Sequence, residues 1–511
     1  MFIKKLLNYR MLVLCIFFLG LSLRLWLFFT EARFAGDTAR DLLVGSHIVK
    51  YGERPLVGHA ASGNFFYYPP YYFYFQALLY AIVENPRVIM GLFVVWQSTS
   101  IVLVYAIGKQ LFNAPTGVIA ALMVGLSQYF VRQQSWMYSG PSTTPLFLLS
   151  FLLFIRWART AHTKKLSLLL YSLAVLMVGS VVSYSLLIYV PVFLIAASII
   201  GIPRFGRAKI LVLCATGMVA LMLLYSPLFF VFERAAKAFN PIYFIEFRAG
   251  TLLSFFDITK GIVALLIPNS QWLISLVLLF GFVASFYHGS RNERLKAVGI
   301  MGMILYPVIL AAGSRNRLVH FYFHYFDVVM PLVAVLFSWA ITNSYIKPSR
   351  PRHGFVLVTS VVFILVSSNK FFYTPYEHNQ YKQTETIARE ILRKASGTAN
   401  KNNQIDTGFF QVYVYQQGFG ALNSIMVWYQ LERITGKRFV TLIPKTDRFR
   451  QLNSDDVIFL YCLWYDGGSE DPLCQQDFHN DYSEHEFRYA MKIDPRITLF
   501  VYKRRDSQLI L

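Results

Sequence analysis

Long apolar runs constrain this chain more than any other feature. Eleven of them lie near residues 11–30, 88–108, 115–131, 142–158, 166–182, 185–201, 209–231, 268–288, 297–313, 326–346 and 354–369. Each approaches the roughly 17–25 mostly apolar residues that cross a bilayer as a helix. Lipid offers no hydrogen bonds, so a spanning segment must satisfy its own backbone groups, and runs of this kind are helices. Charge is scarce to match: 15% of residues are charged, against about 25% in soluble domains. The first run follows Lys4, Lys5 and Arg10 and continues through Leu25-Trp26-Leu27-Phe28-Phe29 with no small-residue cleavage site, which predicts an uncleaved span. The fifth and sixth runs are separated only by a few residues around Ser183 and Tyr184. The chain reads as an α-helical polytopic membrane protein of about eleven spans.

The net charge of +21 does not indicate nucleic acid, because Lys and Arg gather in short connections between apolar runs and no nucleic-acid-binding motif stands out. Lys109, then Arg156, Arg159, Lys164 and Lys165, then Arg204, Arg207 and Lys209 fall on alternate connections. So do Arg291, Arg294 and Lys296, and Lys347, Arg350 and Arg352. Basic connections stay cytoplasmic, so the N-terminus is expected inside and the segment after 370 outside, in a cell (inner or plasma) membrane. The outer pieces are residues 31–87, 232–267, 314–325 and 371–511. The first is aromatic and rich in Gly and Pro, suited to helices lying in the interface. After Asn369 the composition changes. Residues 376–395 and 423–435 read as helices. Residues 410–415 alternate like a strand, and 439–443, 457–461 and 498–502 also read as strands. The expected organisation is a transmembrane domain over 1–370 and a small extracytoplasmic α/β domain over 371–511. Cys15 and Cys214 lie in spans. Cys462 and Cys474 lie outside, where a disulfide or two free thiols are both open.

Chemistry points first to Phe34-Ala35-Gly36-Asp37-Thr38-Ala39-Arg40-Asp41, just past the first span. Asp37 and Asp41, four apart, share one face of a helix, and Arg40 is close to both. Asp37 is either an N-cap after Gly36 or a general base. A carboxylate at the lip of an apolar bundle is partly desolvated and so more basic. Asp41 is the second candidate, pairing with Arg40 or binding a substrate hydroxyl. The two carboxylates are also a possible site for a divalent cation. Arg24, near the outer end of the first span, either snorkels to the interface or faces the bundle interior. Arg315, Arg317, His320 and His324 form an outer basic cluster against the positive-inside trend. Arginine's planar fork suits phosphate, though a solvated loop touching lipid headgroups is the alternative. His59 and Arg54 are weaker candidates, and Trp136 to Pro141 reads as a sugar-stacking turn or as an aromatic belt.

A first span, an acid in a long outer loop, the stretch Tyr68-Pro69-Pro70-Tyr71-Tyr72, many further spans and an outer C-terminal domain together resemble the GT-C glycosyltransferases. The resemblance is to bacterial relatives of protein O-mannosyltransferases and of the lipid A aminoarabinose transferase. It covers about residues 1–370. It implies that Asp37 is the general base, with Thr38 where that family often has Glu. The Tyr68 stretch is similar to the family's Lys-Pro-Pro-Leu-Tyr, whose lysine contacts donor phosphate in some members. Tyr68 stands in the lysine's place, which leaves Tyr68 and Tyr71 as substrate contacts and shifts phosphate binding toward 315–324. Ser139-Gly140-Pro141-Ser142 lacks the second acid that some relatives carry between the third and fourth spans.

The expected reaction is inverting transfer of a sugar from a polyprenyl-phosphate donor to a protein, lipid or glycan acceptor on the outer face. The activated sugar must cross on a lipid carrier, since nucleotide-sugars stay in the cytosol. The resemblance allows catalysis without a metal. A flippase or transporter, or a polymerase of lipid-linked glycans, is the alternative. Spans broken near mid-membrane and paired halves mark transporters, and neither is evident here. Anchoring an outer domain alone does not require eleven spans.

Overall fold

A computed structural model describes residues 9–31, 34, 36–58, 68–135, 137, 139–160, 166–229, 283, 286, 289–312, 327–345, 380–396, 410–415, 424–438, 440–443, 448–451, 457–463, 485–494 and 497–504. The helices in chain order are α1 Tyr9–Glu31, α2 Gly36–Tyr51, α3 Tyr71–Ile82, α4 Pro86–Ser98, α5 Ser100–Leu111, α6 Ala114–Leu126, α7 Gln128–Gln133 and α8 Ser139–Arg159. They continue as α9 Ser167–Val182, α10 Tyr184–Leu187, α11 Tyr189–Phe205, α12 Arg207–Phe229, α13 Arg291–Ala312, α14 Met330–Tyr345, α15 Gln380–Ser396 and α16 Ser424–Thr435. The strands are β1 Phe410–Tyr415, β2 Val440–Ile443, β3 Arg448–Gln451, β4 Val457–Leu463, β5 His485–Asp494 and β6 Ile497–Arg504. The chain divides into two compact units, one of Met1–Phe29, Val57–Tyr72 and Arg87–Thr374, the other of Thr30–Leu56, Phe73–Pro86 and Pro375–Leu511.

The first unit is a helical bundle built around α6. Every residue from Pro115 to Leu126 is buried, and a helix apolar on all sides belongs at the centre of a bundle. Its start is set by Asn113, whose side chain accepts from the Thr116 N–H at 2.9 Å, with Pro115 in the first turn, where a missing N–H costs nothing. A Cβ on Gly108 of α5 would lie 2.8 Å from the Gly117 Cα of α6. These helices meet backbone to backbone, as small residues permit in membranes. Thr116 and Thr342 hydroxyls, 2.7 Å apart, tie α6 to α14. On α12, Leu211, Val212, Met222 and Leu223 are exposed, as expected of a surface solvated by lipid tails.

Tyr9–Thr30, Pro86–Leu111 and Arg207–Pro227 are long and apolar enough to cross a membrane, and α6, α9, α11 and most of α14 are shorter apolar helices. The protein is multi-pass. The run expected over 88–108 lies within Pro86–Leu111; α4 and α5 meet at Thr99, which keeps helical dihedrals and whose hydroxyl donates to the Trp96 carbonyl at 2.6 Å. The run over 185–201 starts as the single turn α10 before α11. The expected spans near 268–288, apart from Val283 and Phe286, and near 354–369 lie outside the described residues.

The second unit joins α2, most of α3 and the C-terminal segment. Val44 of α2 packs on Phe73, and a Cβ on Gly45 would lie 3.1 Å from the Gln76 backbone, so α2 and α3 are close neighbours. Buried Ile387, Ala388, Ile391 and Leu392 give α15 its apolar stripe at helical spacing. Phe34 sits edge-on to Tyr381 of α15 at 5.1 Å and tilted against Tyr429 of α16 at 5.4 Å. Four strands form a sheet in the order β1-β4-β6-β5. β1 and β4 run parallel, Phe410 opposite Val457, while β4 with β6 and β6 with β5 are antiparallel. β2 and β3 pair antiparallel by themselves. Cys462 lies on β4 opposite Thr498; Cys474, its suggested disulfide partner, lies outside the described residues.

Candidate functional site

The helix α2 begins at Gly36, which places Asp37 inside its first turn, where the helix dipole favours an anion. Arg40 and Asp41 follow one turn later on the same face. The guanidinium binds both acids. Nη1 donates to Asp37 Oδ1 at 2.7 Å, and Nε and Nη2 donate to Asp41 Oδ1 at 3.0 and 2.7 Å. Exposure separates the two carboxylates: Asp37 is 46% exposed and Asp41 1%, with Arg40 at 16%. The desolvation expected of Asp37 therefore falls mainly on Asp41. Burial pushes the Asp41 carboxyl up to about 7; the Arg40 charge opposes this, the Asp37 charge adds to it, and the Arg40 hydrogen bond opposes it. A divalent ion between these acids would have to displace Arg40 from the oxygens it holds. Among the described residues no group of three or more His, Cys, Asp or Glu is placed to hold a metal.

This raised value fixes the sign of a pH effect. An unfolded Asp loses its proton near pH 4, and the folded Asp41 keeps it until about 7. The native state therefore binds the extra proton between those values, and stability from this group falls as pH rises from 4 through 7. The difference corresponds to ~4 kcal/mol. Thermal unfolding from pH 4 to 8 should show this decline in the wild type, and Asp41→Asn should remove it. A profile identical in the two proteins would contradict the burial argument.

One and a half turns beyond Asp41, buried His47 lies between two carboxylates. Nε2 is 2.6 Å from Glu432 Oε2 on α16, and Nδ1 is 3.4 Å from Glu53 Oε2. Glu53 also pairs with Arg438, whose guanidinium lies 5.0 Å from the centre of the Tyr51 ring. This network pins the acid-bearing helix to the C-terminal segment of its own unit. The tie to α16 is not legible near His47, because Glu432 lies 385 residues away.

In the bundle unit, Arg24 is fully buried. Its Nη1 donates to Gly20 O and Gly125 O at 2.9 Å, and its Nη2 donates to Val124 O at 2.7 Å and Gln134 Oε1 at 2.9 Å. Val124 and Gly125 are in the last turn of α6, whose carbonyls have no partner within the helix. Arg24 thus caps α6 from another helix, and it does not snorkel. Sequence reading also missed Asp327, a buried acid that accepts a hydrogen bond from Tyr129.

Of the remaining expected residues, Tyr68 is 3% exposed and Tyr71 37%, so only the second offers much side-chain surface. The Gly58 N–H donates to Tyr68 O at 2.7 Å, fixing the start of the Tyr68-Pro69-Pro70 stretch. Arg315, Arg317, His320, His324, His59, Trp136 and Tyr138 lie outside the described residues.

Residues 68–230 match the family model described as dolichyl-phosphate-mannose-protein mannosyltransferase. The fold is similar to that of ArnT from Cupriavidus metallidurans in a crystal structure bound to undecaprenyl phosphate, at 11% identity over 98% of each chain and a TM-score of 0.55. The apo structure of the same protein gives 12% identity, 98% of each chain and 0.54. No curated protein matches the chain in sequence.

Proposed function

We propose that this chain, whose fold is that of the GT-C membrane glycosyltransferases, moves a sugar from a polyprenyl-phosphate donor to a hydroxyl or amine acceptor on the outer face of the membrane. The observation that carries the reading is the Arg40 clamp, with one carboxylate open to solvent and the other buried. Asp37, the open one, is the base. It takes the acceptor proton as the nucleophile bonds to the anomeric carbon. The bond from that carbon to the phosphate oxygen breaks, and polyprenyl phosphate leaves with the electron pair. A single displacement inverts the anomeric centre. As Asp37 becomes neutral, the Arg40 charge is left to Asp41, which favours the ionised form of that buried acid. The guanidinium thereby keeps a charged partner throughout the step.

Arg315, Arg317, His320 and His324 are the proposed ligands of the leaving phosphate, whose growing charge fixed donors stabilise. Tyr71, and Tyr68 through its backbone setting, border the substrate. The acceptor is a protein, a lipid or a glycan. The reaction needs no metal in this reading, because the Arg40 clamp organises the acids.

Purified protein supplied with glycosylated undecaprenyl phosphate and an acceptor extract should release free undecaprenyl phosphate; passage of intact lipid across the bilayer instead would make it a flippase. The outward orientation has its own test. Val49, at the far end of α2, is 44% exposed. A cysteine introduced there should react with a membrane-impermeant maleimide in intact cells, above the wild-type background. Labelling only after the membrane is opened would reverse the orientation.

A further inference from the structure

Asp327 precedes α14 within a turn whose next residues, Val328, Val329 and Met330, are all buried. Its two oxygens are treated differently. Oδ1 accepts from the Tyr129 hydroxyl, and the backbone carbonyl accepts from Thr144 Oγ1 at 3.3 Å. Oδ2 is buried and accepts nothing from the described residues. A carboxylate oxygen left bare in an apolar bundle is costly, and ionisable side chains in such bundles mark substrate paths. The hydrocarbon around the bundle has no donor to give. Tyr129 lies on the short helix α7, and that helix brings further unmet polar atoms. Ser127 Oγ at its N-terminus and Gln133 Oε1 at its end are both buried without a partner among the described residues.

The unmet atoms are a carboxyl oxygen on Asp327, an amide oxygen on Gln133 and, on Ser127, a hydroxyl that can donate or accept. Phosphate is a poor occupant, because Asp327 brings no positive charge to meet it. A divalent cation seeks several carboxylates, and the described residues hold no such group. A polyhydroxylated group fits, since each hydroxyl both donates and accepts. We infer that Asp327, oriented by Tyr129, binds hydroxyls of the glycosyl group that the lipid donor carries. This assignment rests on the proposed transfer reaction and deepens it: Asp327 distinguishes the glycosylated carrier from the bare one.

The test uses the full chain in nanodiscs with defined probes: undecaprenyl phosphate, bare or carrying mannose, glucose, galactose or arabinose. The wild type should prefer at least one glycosylated probe to the bare lipid. Asp327→Asn should weaken binding of that probe about 10- to 100-fold, the range of leaving one buried polar partner unmet, and leave the bare lipid unchanged. Tyr129→Phe should shift the same preference in the same direction by less, because the carboxylate stays but loses its orientation. If Asp327→Asn does not fold, Tyr129→Phe decides. Equal weakening for both kinds of probe, or an unchanged preference, overturns the assignment while leaving a donor-cleaving enzyme intact. A wild type that neither prefers nor cleaves any glycosylated probe overturns the transfer reaction and this inference together.

Discussion

Asp37→Asn lowers the rate of sugar transfer by about 10² to 10⁴, the contribution of a positioned general base, while the protein folds as before. The second half of that expectation follows from exposure. At 46% exposed, Asp37 contributes one hydrogen bond to Arg40 and little packing. The asparagine is nearly isosteric, and Arg40 retains its two bonds to Asp41. A surface ion pair is worth roughly 0–1 kcal/mol, so the thermal midpoint should scarcely move. The loss should appear in kcat with bound donor unchanged, because the proton is transferred only in the reacting complex. Asp41→Asn gives the contrasting result. It removes the buried group that takes up the extra proton and so changes the stability profile with pH, and its effect on rate comes through the orientation of Arg40. Full transfer activity in a folded Asp37→Asn protein would assign the base elsewhere.

Arg24→Met produces the largest loss of stability. The guanidinium makes four hydrogen bonds while fully buried, and two of them satisfy carbonyls at the C-terminal end of α6. Methionine fills much of the volume but donates nothing. Each stranded buried group costs about 1–3 kcal/mol, so the expected destabilisation is about 3–5 kcal/mol, similar to breaking a buried charge pair. The positive charge that favours the negative end of the α6 dipole is lost as well. Arg24→Lys should recover only part of this, because an ammonium lacks the planar fork that reaches two carbonyls and Gln134 together. Thermal unfolding and yield in detergent read both effects. A methionine variant as stable as the wild type would mean that α6 does not depend on this cap.

These two predictions differ in how far the sequence alone supports them. The Asp37, Arg40 and Asp41 spacing is local, so a helix that places all three on one face is readable from the chain, and α2 carries them in its first two turns. Which acid is buried is not readable. It depends on partners far away in sequence, as the 385-residue separation of His47 and Glu432 within the same unit illustrates. Arg24 was visible as an anomaly in an apolar run, but its role depends on Val124, Gly125 and Gln134, about 100 residues on. Asp327 passed unnoticed at the edge of an expected span because its partner Tyr129 is 198 residues away.

The strands show the same division between local and distant signals. β1 alternates along Phe410-Gln411-Val412-Tyr413-Val414-Tyr415 and β4 is an unbroken apolar run, and both were legible. β5 was not, because register shifts between Phe487 and Tyr489 and between Lys492 and Asp494 interrupt its period of two. β3, Arg448-Phe449-Arg450-Gln451, has a single apolar residue and takes its strand form from pairing with β2.

The central claim is that this membrane protein breaks a sugar–phosphate bond with the help of the Asp37 carboxylate. It is tested most directly by a single-turnover reaction with donor labelled in both sugar and lipid. The account predicts one free polyprenyl phosphate for each sugar transferred, inverted configuration at the anomeric carbon, and both products formed about 10²- to 10⁴-fold more slowly by Asp37→Asn. Retained configuration, or product formed at the wild-type rate by that variant, would contradict it.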